Sequence, residues 1–379
     1  MDATRKNTSV FLDGNIDRST WKRVRLGDVL QVCHGKCQHS IESNTGKYPI
    51  LATSGEIGRA DSYLYDKPSV LIGRKGTIDK PQYIDSPFWT IDTLFYTKIA
   101  EGYNPKFLYY LCLTIDWASM NEASGVPSLS ANRIESLEVT IPDIDEQDKI
   151  SNALSSIDKH VSTLDALIAK YEAIKKATVN LLLEPKSYWR IVPLGEICEV
   201  CSTRRVHESD WTDSGVPFYR ARELVALNDG RSITPLHISE KLYNELIASS
   251  GTIRPGDLLV TGVGSIGVPY LVKGNDKFYF KDGNIIWFKN RGEIWPDYFL
   301  HAFRSDRIQK QIMEMACVGT VGSYTITNGK RTLIALPPLD EQKRIVAILD
   351  SIDGTITGLK SQLAKAQDIK QGMMSYFFG

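Results

Sequence analysis

Residues 141–183 carry apolar side chains in alternating steps of four and three, a pattern that few folds can accommodate. A mean step of 3.5 residues is typical of a helix that pairs lengthwise with another helix. A helix from residue 145 to residue 183 would be roughly 58 Å long at 1.5 Å per residue. It would end before Pro185, because proline disfavours helix in the residue before it and lacks a backbone donor. Such a helix requires a partner. The apolar positions are Ile150, Leu154, Ile157, Val161, Leu164, Ile168 and Tyr171.

A second copy of the pattern, from residue 336 to residue 378, supplies that partner. Asp340-Glu341-Gln342 match Asp145-Glu146-Gln147 at an offset of 195 residues (340 − 145). Both copies also skip a step, after Tyr171 and after Ala366, which two unrelated amphipathic helices would rarely share. We therefore expect two matching long helices, the second weakened at Gly354 and Gly358 by about 1 kcal/mol each relative to alanine. The matching apolar positions are Ile345, Leu349, Ile352, Ile356, Leu359 and Leu363.

The duplication extends to the start of each half. Trp21 begins the stretch WKRVRLGDVLQV, and Trp189 begins the similar stretch WRIVPLGEICEV, at an offset of 168 residues (189 − 21). The second copy therefore has 27 more residues (195 − 168) between its opening and its long helix. Matching helices with divergent bodies indicate one scaffold that holds two different recognition modules.

Each body is expected to be mixed and rich in strands. Short β-branched or aromatic runs bounded by glycine, proline and aspartate predict strands at 48–51, 69–73 and 93–96, and at 258–260, 270–272 and 285–288. Proline at a first helical turn predicts a helix from Pro105 through Trp117, and another from Pro296 through Ile308. The predicted class is α+β. Two equivalent halves most simply close around a pseudo-two-fold axis, so the long helices should pair as an antiparallel coiled coil.

The chain has 45 basic and 45 acidic side chains, so any positive surface for nucleic acid must be local. Its first 20 residues are polar, and no apolar run approaches the roughly 18 residues that a membrane helix needs. We therefore expect a cytoplasmic protein with a loosely ordered N-terminal tail at residues 1–20.

The duplicated order, with a Pro-x-x-Asp-Glu-Gln start to each long helix, resembles the specificity subunit of type I restriction–modification enzymes. The resemblance covers residues 21–379. It implies a target recognition domain at 21–140, a first helix at 141–185, a second target recognition domain at 186–335 and a second helix at 336–379. Each domain of such a subunit reads one half of a bipartite DNA target, and the antiparallel helices hold the domains apart.

The resemblance also implies which chemistry the chain lacks. Double-stranded DNA and two modification (methyltransferase) subunits would be its partners, together with restriction endonuclease subunits. Catalysis, S-adenosylmethionine, ATP and magnesium would belong to those partners, and this chain would hold no cofactor. A scaffold whose two β-rich bodies bind proteins or glycans is the alternative. Binding to randomised duplex DNA in the presence of the methyltransferase distinguishes the two.

Three motifs that could indicate other functions lack the necessary context. Residues 262–267 fit G-x-G-x-x-G, but a proline and a β-rich run follow, where a dinucleotide site needs a helix. The Gly-Lys pairs at Gly46 and Gly329 lack the remaining residues of a phosphate-binding loop. Cys33, Cys37 and Cys198 with Cys201 are spaced as zinc ligands can be, but neither body contains two ligand pairs. No metal site is predicted.

Candidate DNA contacts are basic and polar side chains in the loops of each body. Arginine can pair with guanine in the major groove, while lysine, serine and threonine mostly contact phosphates. A solvated charged surface is the alternative for each of these residues. The candidates are Lys36, Gln38, Arg74, Lys75, Ser128 and Ser130 in the first body, and Arg204, Arg205, Arg220, Arg222, Ser265, Ser323 and Thr325 in the second.

Overall fold

The structure, a computed structural model, describes residues 18–316 and 322–379. The chain forms two compact units, one of Met1–Ala166 with Ser361–Gly379 and one of Leu167–Lys360. Of the predicted N-terminal tail, residues 1–17 lie outside the described residues, and Arg18–Thr20 forms a short 3-10 helix.

The elements of unit 1 and of the long helix that leaves it are β1 Lys22–Arg25, α1 Leu26–Val29, β2 Leu30–Cys33, β3 Tyr48–Ala52, β4 Gly55–Ala60, β5 Ser69–Gly73, β6 Gln82–Ile84, β7 Trp89–Thr90, β8 Leu94–Ile99, α2 Pro105–Leu113, α3 Ala131–Glu135, β9 Glu138–Ile141 and α4 Ile144–Leu182. Unit 1 is built on a four-stranded antiparallel sheet in the order β2-β8-β5-β6. A second sheet has the order β4-β3-β7, and β1 pairs with β9. The helix α2 packs over the first sheet, with Phe107 and Leu108 fully buried among its side chains.

The elements that follow are β10 Arg190–Pro193, α5 Leu194–Ile197, β11 Cys198–Cys201, β12 Trp211–Thr212, β13 Val216–Tyr219, α6 Ala221–Asn228, β14 Leu236–Ile238, α7 Glu240–Ser250, β15 Leu258–Thr261, β16 Pro269–Leu271, β17 Tyr279–Phe280, β18 Ile285–Asn290, α8 Pro296–Arg304, α9 Asp306–Ala316, α10 Ile326–Arg331, β19 Leu333–Leu336 and α11 Leu339–Phe378. Unit 2 repeats the plan of unit 1 with the sheets β11-β18-β15-β16, β12-β14-β13-β17 and β10-β19. The helices α6 and α7 lie in the part of the second copy that carries most of its extra residues.

The six predicted strands and the proline-initiated helices are present, but both of those helices end earlier than predicted. The helix α2 stops at Leu113, and Thr114 closes it by donating a hydrogen bond from its hydroxyl to the Leu111 carbonyl. Trp117 lies beyond the helix and is buried, with its indole N–H bonded to the Cys112 carbonyl at 2.8 Å. The helix α8 ends at Arg304, because Ser305 has an extended backbone and its hydroxyl donates a hydrogen bond to the Ala302 carbonyl.

The two long helices, α4 with 39 residues and α11 with 40, run antiparallel within each unit. In unit 2, Glu172 pairs with Lys360 at 2.8 Å, and Lys175 pairs with Asp353 at 2.5 Å. A later residue of α4 thus contacts an earlier residue of α11, as antiparallel helices require. In unit 1, the early residue Leu154 of α4 lies in one core cluster with the late residue Phe377 of α11. The expected weakening at Gly354 and Gly358 does not interrupt α11, which is helical through both.

The repeated glutamine of the two Asp-Glu-Gln motifs has a structural role. Gln147 is 1% exposed, accepts a hydrogen bond from the Asn104 backbone N–H at 2.9 Å and donates one to the Pro142 carbonyl at 2.9 Å. Gln342 makes the same pair of bonds, from the Trp295 N–H at 2.7 Å and to the Pro337 carbonyl at 2.9 Å. Each glutamine thus ties the start of a long helix to the start of the body helix, α2 or α8.

Candidate nucleic-acid interface

Several candidate residues of unit 1 lie at one end of its main sheet. Because β8 is antiparallel to both of its neighbours, the loops after β2 and β5 meet the segment that enters β8. Lys36 follows β2, and its backbone N–H bonds to the Thr90 carbonyl at 2.8 Å. Arg74 follows β5, and its N–H bonds to the Thr93 carbonyl at 2.9 Å. Backbone hydrogen bonds therefore hold the two basic loops against one shared segment.

The loop that precedes α3 joins this end of the sheet. The Leu129 N–H donates to the Arg74 carbonyl at 2.9 Å, and the Gly76 N–H donates to the Pro127 carbonyl at 2.9 Å. These bonds enclose an open concavity of about 340 Å³ that could receive a polar group of a ligand. Four predicted residues line it, Arg74, Lys75, Ser128 and Ser130, together with His34, Phe95, Leu129, Ala131 and Asn132.

The polar side chains of this concavity differ in how firmly they are held. The Arg74 guanidinium donates from Nη1 to the Asp92 carbonyl at 3.0 Å and lies 3.8 Å from the Asp92 carboxylate. Lys36 and Lys75 are exposed. Ser130 caps α3, because its hydroxyl accepts a hydrogen bond from the Arg133 N–H at 3.3 Å; the hydroxyl therefore also stabilises the start of this helix. Gln38 is half-buried and does not line the concavity.

Unit 2 presents the same end of its equivalent sheet. Arg204 and Arg205 follow β11, and Ser265 lies in the loop after β15. The Tyr324 N–H donates to the Gly262 carbonyl at 2.8 Å, which brings Ser323 and Thr325 to this loop. Tyr324 and Leu129 are related by the offset of 195 residues, so the same backbone bond joins the same two loops in both units.

Two neighbouring arginines of unit 2 have different surroundings. The Arg205 side chain is 72% exposed, and its Nε donates to the Asp282 carboxylate at 3.4 Å. Arg204 is exposed, and its backbone N–H donates to the Tyr279 hydroxyl at 2.9 Å. Thr325 caps α10 by accepting from the Asn328 N–H, as Ser130 caps α3.

Arg220 and Arg222 are engaged with a buried carboxylate. Glu223 accepts two bonds from the Arg220 guanidinium, at 3.1 and 2.7 Å, and one from Arg222 at 2.7 Å. Burial alone would raise the pKa of Glu223, but these hydrogen bonds hold it below its ordinary value. The Lys281 N–H bonds to the Tyr219 carbonyl, which places this group beside the segment that enters β18. Both arginines therefore stabilise the turn after β13.

Three residues of these surfaces carried no sequence prediction as DNA contacts: His34, Asn132 and Lys281. His34 stands in the cysteine-rich stretch that suggested zinc, and its ring packs edge-on against Phe95 at 5.0 Å. Its position directly after β2, one residue beyond the strand end, is the signal that would have placed it at the same sheet end as Lys36.

The motifs that could indicate a dinucleotide or metal site lie in surroundings that do not support those functions. Residues 262–267 connect β15 to the strand β16, so no helix N-terminus is available for a pyrophosphate. Within 18–316 and 322–379, no three histidine, cysteine or acidic side chains are grouped as a metal site would require. Cys198 is buried, which raises the pKa of its thiol to about 12. In the same part of the chain, no helix is long and apolar enough to cross a membrane.

Comparison with known proteins agrees with this architecture. The family model described as type I restriction modification DNA specificity domain matches residues 18–174 and 186–367. A putative type I restriction enzyme specificity subunit of Haemophilus influenzae is 23% identical over 392 residues, covering 98% of each chain. The MjaVIII specificity subunit of Methanocaldococcus jannaschii is 23% identical over 410 residues, covering 94% of this chain and 91% of that one.

Solved structures share the fold at low identity. The type I restriction–modification S subunit from Mycoplasma genitalium superposes with a TM-score of 0.64 at 16% identity, over 95% of this chain and 96% of that one. The HsdS subunit from Thermoanaerobacter tengcongensis gives a TM-score of 0.50 at 17% identity, with the same coverage. The family model matches both halves of the duplicated chain, and this protein therefore belongs to the family of type I restriction–modification DNA specificity subunits, which recognise DNA and are not catalytic.

Proposed function

We propose that the sheet end described above is the DNA-reading surface of each unit, and that the two units read the two halves of a bipartite target. The supporting observation is the shared loop pair. In both units the loop after β5 or β15 is bonded to the loop before α3 or α10, and basic side chains surround that junction. In this proposal the target recognition domains span 21–140 and 186–335, and the long helices with their flanks span 141–185 and 336–379.

The candidate contacts other than Arg220 and Arg222 keep their predicted roles in this proposal. Exposed lysines and hydroxyls hold phosphates, which fixes orientation, and arginines reach base edges in the major groove. The set is Lys36, Gln38, Arg74, Lys75, Ser128 and Ser130 in unit 1, and Arg204, Arg205, Arg220, Arg222, Ser265, Ser323 and Thr325 in unit 2. Arg220 and Arg222 contribute mainly through the turn that they brace with Glu223.

The chain works with partner subunits in this proposal. Modification subunits, two per specificity subunit, dock on it in the cytoplasm and bring S-adenosylmethionine, and restriction subunits bring ATP and magnesium chemistry. The chain itself holds no cofactor. Its role is to place those enzymes on a chosen sequence.

The test uses the full chain co-expressed with its modification subunit and a pool of randomised duplex DNA. Replacing Arg74 and Lys75 by alanine should relax or weaken recognition of one half-site only. Replacing Arg204 and Arg205 should do so at the other half-site. A lost bidentate base contact costs about 1 to 3 kcal/mol at one position, whereas a lost phosphate contact lowers the salt slope by about 1 without changing sequence preference.

Each unit offers a matched control at the far end of the same strand. Lys98 is exposed near the end of β8, and Arg291 is exposed just after the end of β18, both away from the proposed surface. Alanine at either position should leave both half-sites and the salt slope unchanged. If these controls weaken binding as much as the loop variants do, the proposed surface is wrong.

A further inference from the structure

We infer that Arg74 in unit 1 and Arg205 in unit 2 are the guanine-reading residues of the two half-sites, each held in a reading position by an aspartate, Asp92 or Asp282. The inference rests on the proposed function and assigns roles within it. Its starting point is that each unit has, at the DNA-facing end of its sheet, an arginine in contact with an acidic residue just before β8 or β18.

The contacts leave a usable hydrogen-bonding edge on each guanidinium. Arg205 bonds Asp282 through Nε, which leaves both terminal nitrogens for an incoming partner. Arg74 bonds the Asp92 carbonyl through Nη1, which leaves the edge formed by Nε and Nη2. Guanine presents two adjacent acceptors, O6 and N7, in the major groove, and two parallel N–H groups of one guanidinium match them.

The other arginines nearby are arranged differently. Arg220 already uses the Nε and Nη2 edge of its guanidinium, because both nitrogens donate to the Glu223 carboxylate. Its side chain is only 22% exposed. It is therefore a clamp within the fold. Arg204 is exposed, and within the described ranges no carboxylate pairs with its side chain.

Restraint by an aspartate favours base reading over phosphate contact. A long side chain loses rotamer freedom when it binds, so a guanidinium that is already oriented loses less of it. The neighbouring carboxylate also offsets the positive charge, which weakens attraction to phosphates of any sequence. Lys36, Lys75 and Arg204 are exposed, and no carboxylate within residues 18–316 and 322–379 pairs with them. Such cations suit the phosphates, which demand charge but little direction.

The experiment measures guanine preference with the full chain and its co-expressed modification subunit, by competition between duplexes that differ at one base pair. Arg205→Lys keeps the charge and removes the fork, so preference for one G·C pair in one half-site should fall about 5- to 100-fold. The salt slope should stay unchanged. Arg291→Lys, at an exposed position away from the proposed surface, is the matched control and should change neither quantity. Arg74→Lys should act in the same way on the other half-site.

A second variant tests the aspartate itself. Asp282→Ala removes both the hydrogen-bond acceptor and the negative charge, so guanine preference should fall several-fold while binding to unrelated duplexes stays equal or rises. The inference is overturned if Arg205→Lys keeps the full preference, if its loss is spread evenly over all sequences, or if Asp282→Ala leaves discrimination intact. A wild-type complex without any sequence preference would instead overturn the proposed function.

Discussion

Replacing the buried Gln342 by leucine should loosen unit 2 at one defined place. The leucine fills a similar volume but cannot replace the bond from the Trp295 N–H or the bonds to the Pro337 and Glu293 carbonyls. Gln342 is 1% exposed, so water does not readily take over these partners. An unsatisfied buried donor or acceptor costs about 1 to 3 kcal/mol. With one N–H and one well-placed carbonyl orphaned, the expected loss is about 3 kcal/mol.

Hydrogen–deuterium exchange of the full chain measures this loss locally. A loss of about 3 kcal/mol corresponds to roughly 100-fold faster exchange, since each 1.4 kcal/mol is tenfold. The effect should be confined to peptides from the start of α8 and the start of α11. Gln147→Leu should produce the same loss at the starts of α2 and α4. Gln362→Leu, at an exposed position of α11, is the control and should change little.

The prediction is refuted if the peptides from the starts of α8 and α11 exchange hydrogen as slowly in Gln342→Leu as in the Gln362→Leu control. That result would mean that the hydrophobic contacts of α8 and α11 suffice to join them, and that the repeated Asp-Glu-Gln motif needs another explanation.

Three further predictions concern stability. Burial lowers the pKa of His301, whose ring also lies 3.3 Å from the Asp350 carboxylate. The imidazole therefore binds a proton more tightly in the unfolded chain than in the folded chain. The free energy of unfolding should be full above about pH 6.5 and fall below it. His301→Gln should flatten that fall between pH 5 and 7.5, as measured by urea midpoints. Gly195→Ala should destabilise by about 1 to 3 kcal/mol, because its Cβ would lie 3.0 Å from the Lys330 Cβ. Gly354→Ala, with nothing within 4 Å, should stabilise α11 by about 1 kcal/mol.

The long helices could be predicted from the sequence because their apolar pattern repeats along the chain. The exact end of a short helix could not, because it depends on which local contacts form. The 3.5-residue seam and the shared skipped step predict two paired helices, and the structure contains them with ends within about three residues of prediction. The end of α2 depended instead on the Thr114 hydroxyl and on burial of Trp117 against the sheet. An apolar residue four places beyond the last helical turn resembles helix periodicity until its packing is known.

The candidate site was predictable as loops but not as contacts. Arg74 and Ser128 are more than 50 residues apart in sequence, and their loops are brought together by backbone bonds from Leu129 to Arg74 and from Gly76 to Pro127. His34 was missed because its cysteine neighbours suggested a metal. The engagement of Arg220 with Glu223 did have a local signal, since an acidic residue three positions later at a helix start can bond back to the turn.

The internal duplication separates the residues that maintain the fold from those that differ with the target. Gly27 and Gly195 pack the same way against Glu135 and Lys330, at equivalent places of the two units. At the shared junction, by contrast, the residue that accepts the repeated backbone bond is Arg74 in one unit and Gly262 in the other. The loop after β15 therefore cannot supply an arginine there.

Unit 2 carries its aspartate-held arginine on a different loop, the one after β11, where Arg205 contacts Asp282. The position equivalent to Arg205 in unit 1 is Cys37 by the offset of 168 residues. Two readers that approach from different loops on the same sheet end would meet different positions within their half-sites. The guanines that they read should therefore occupy different places in the two halves of the target, so the two half-sites need not be repeats of each other.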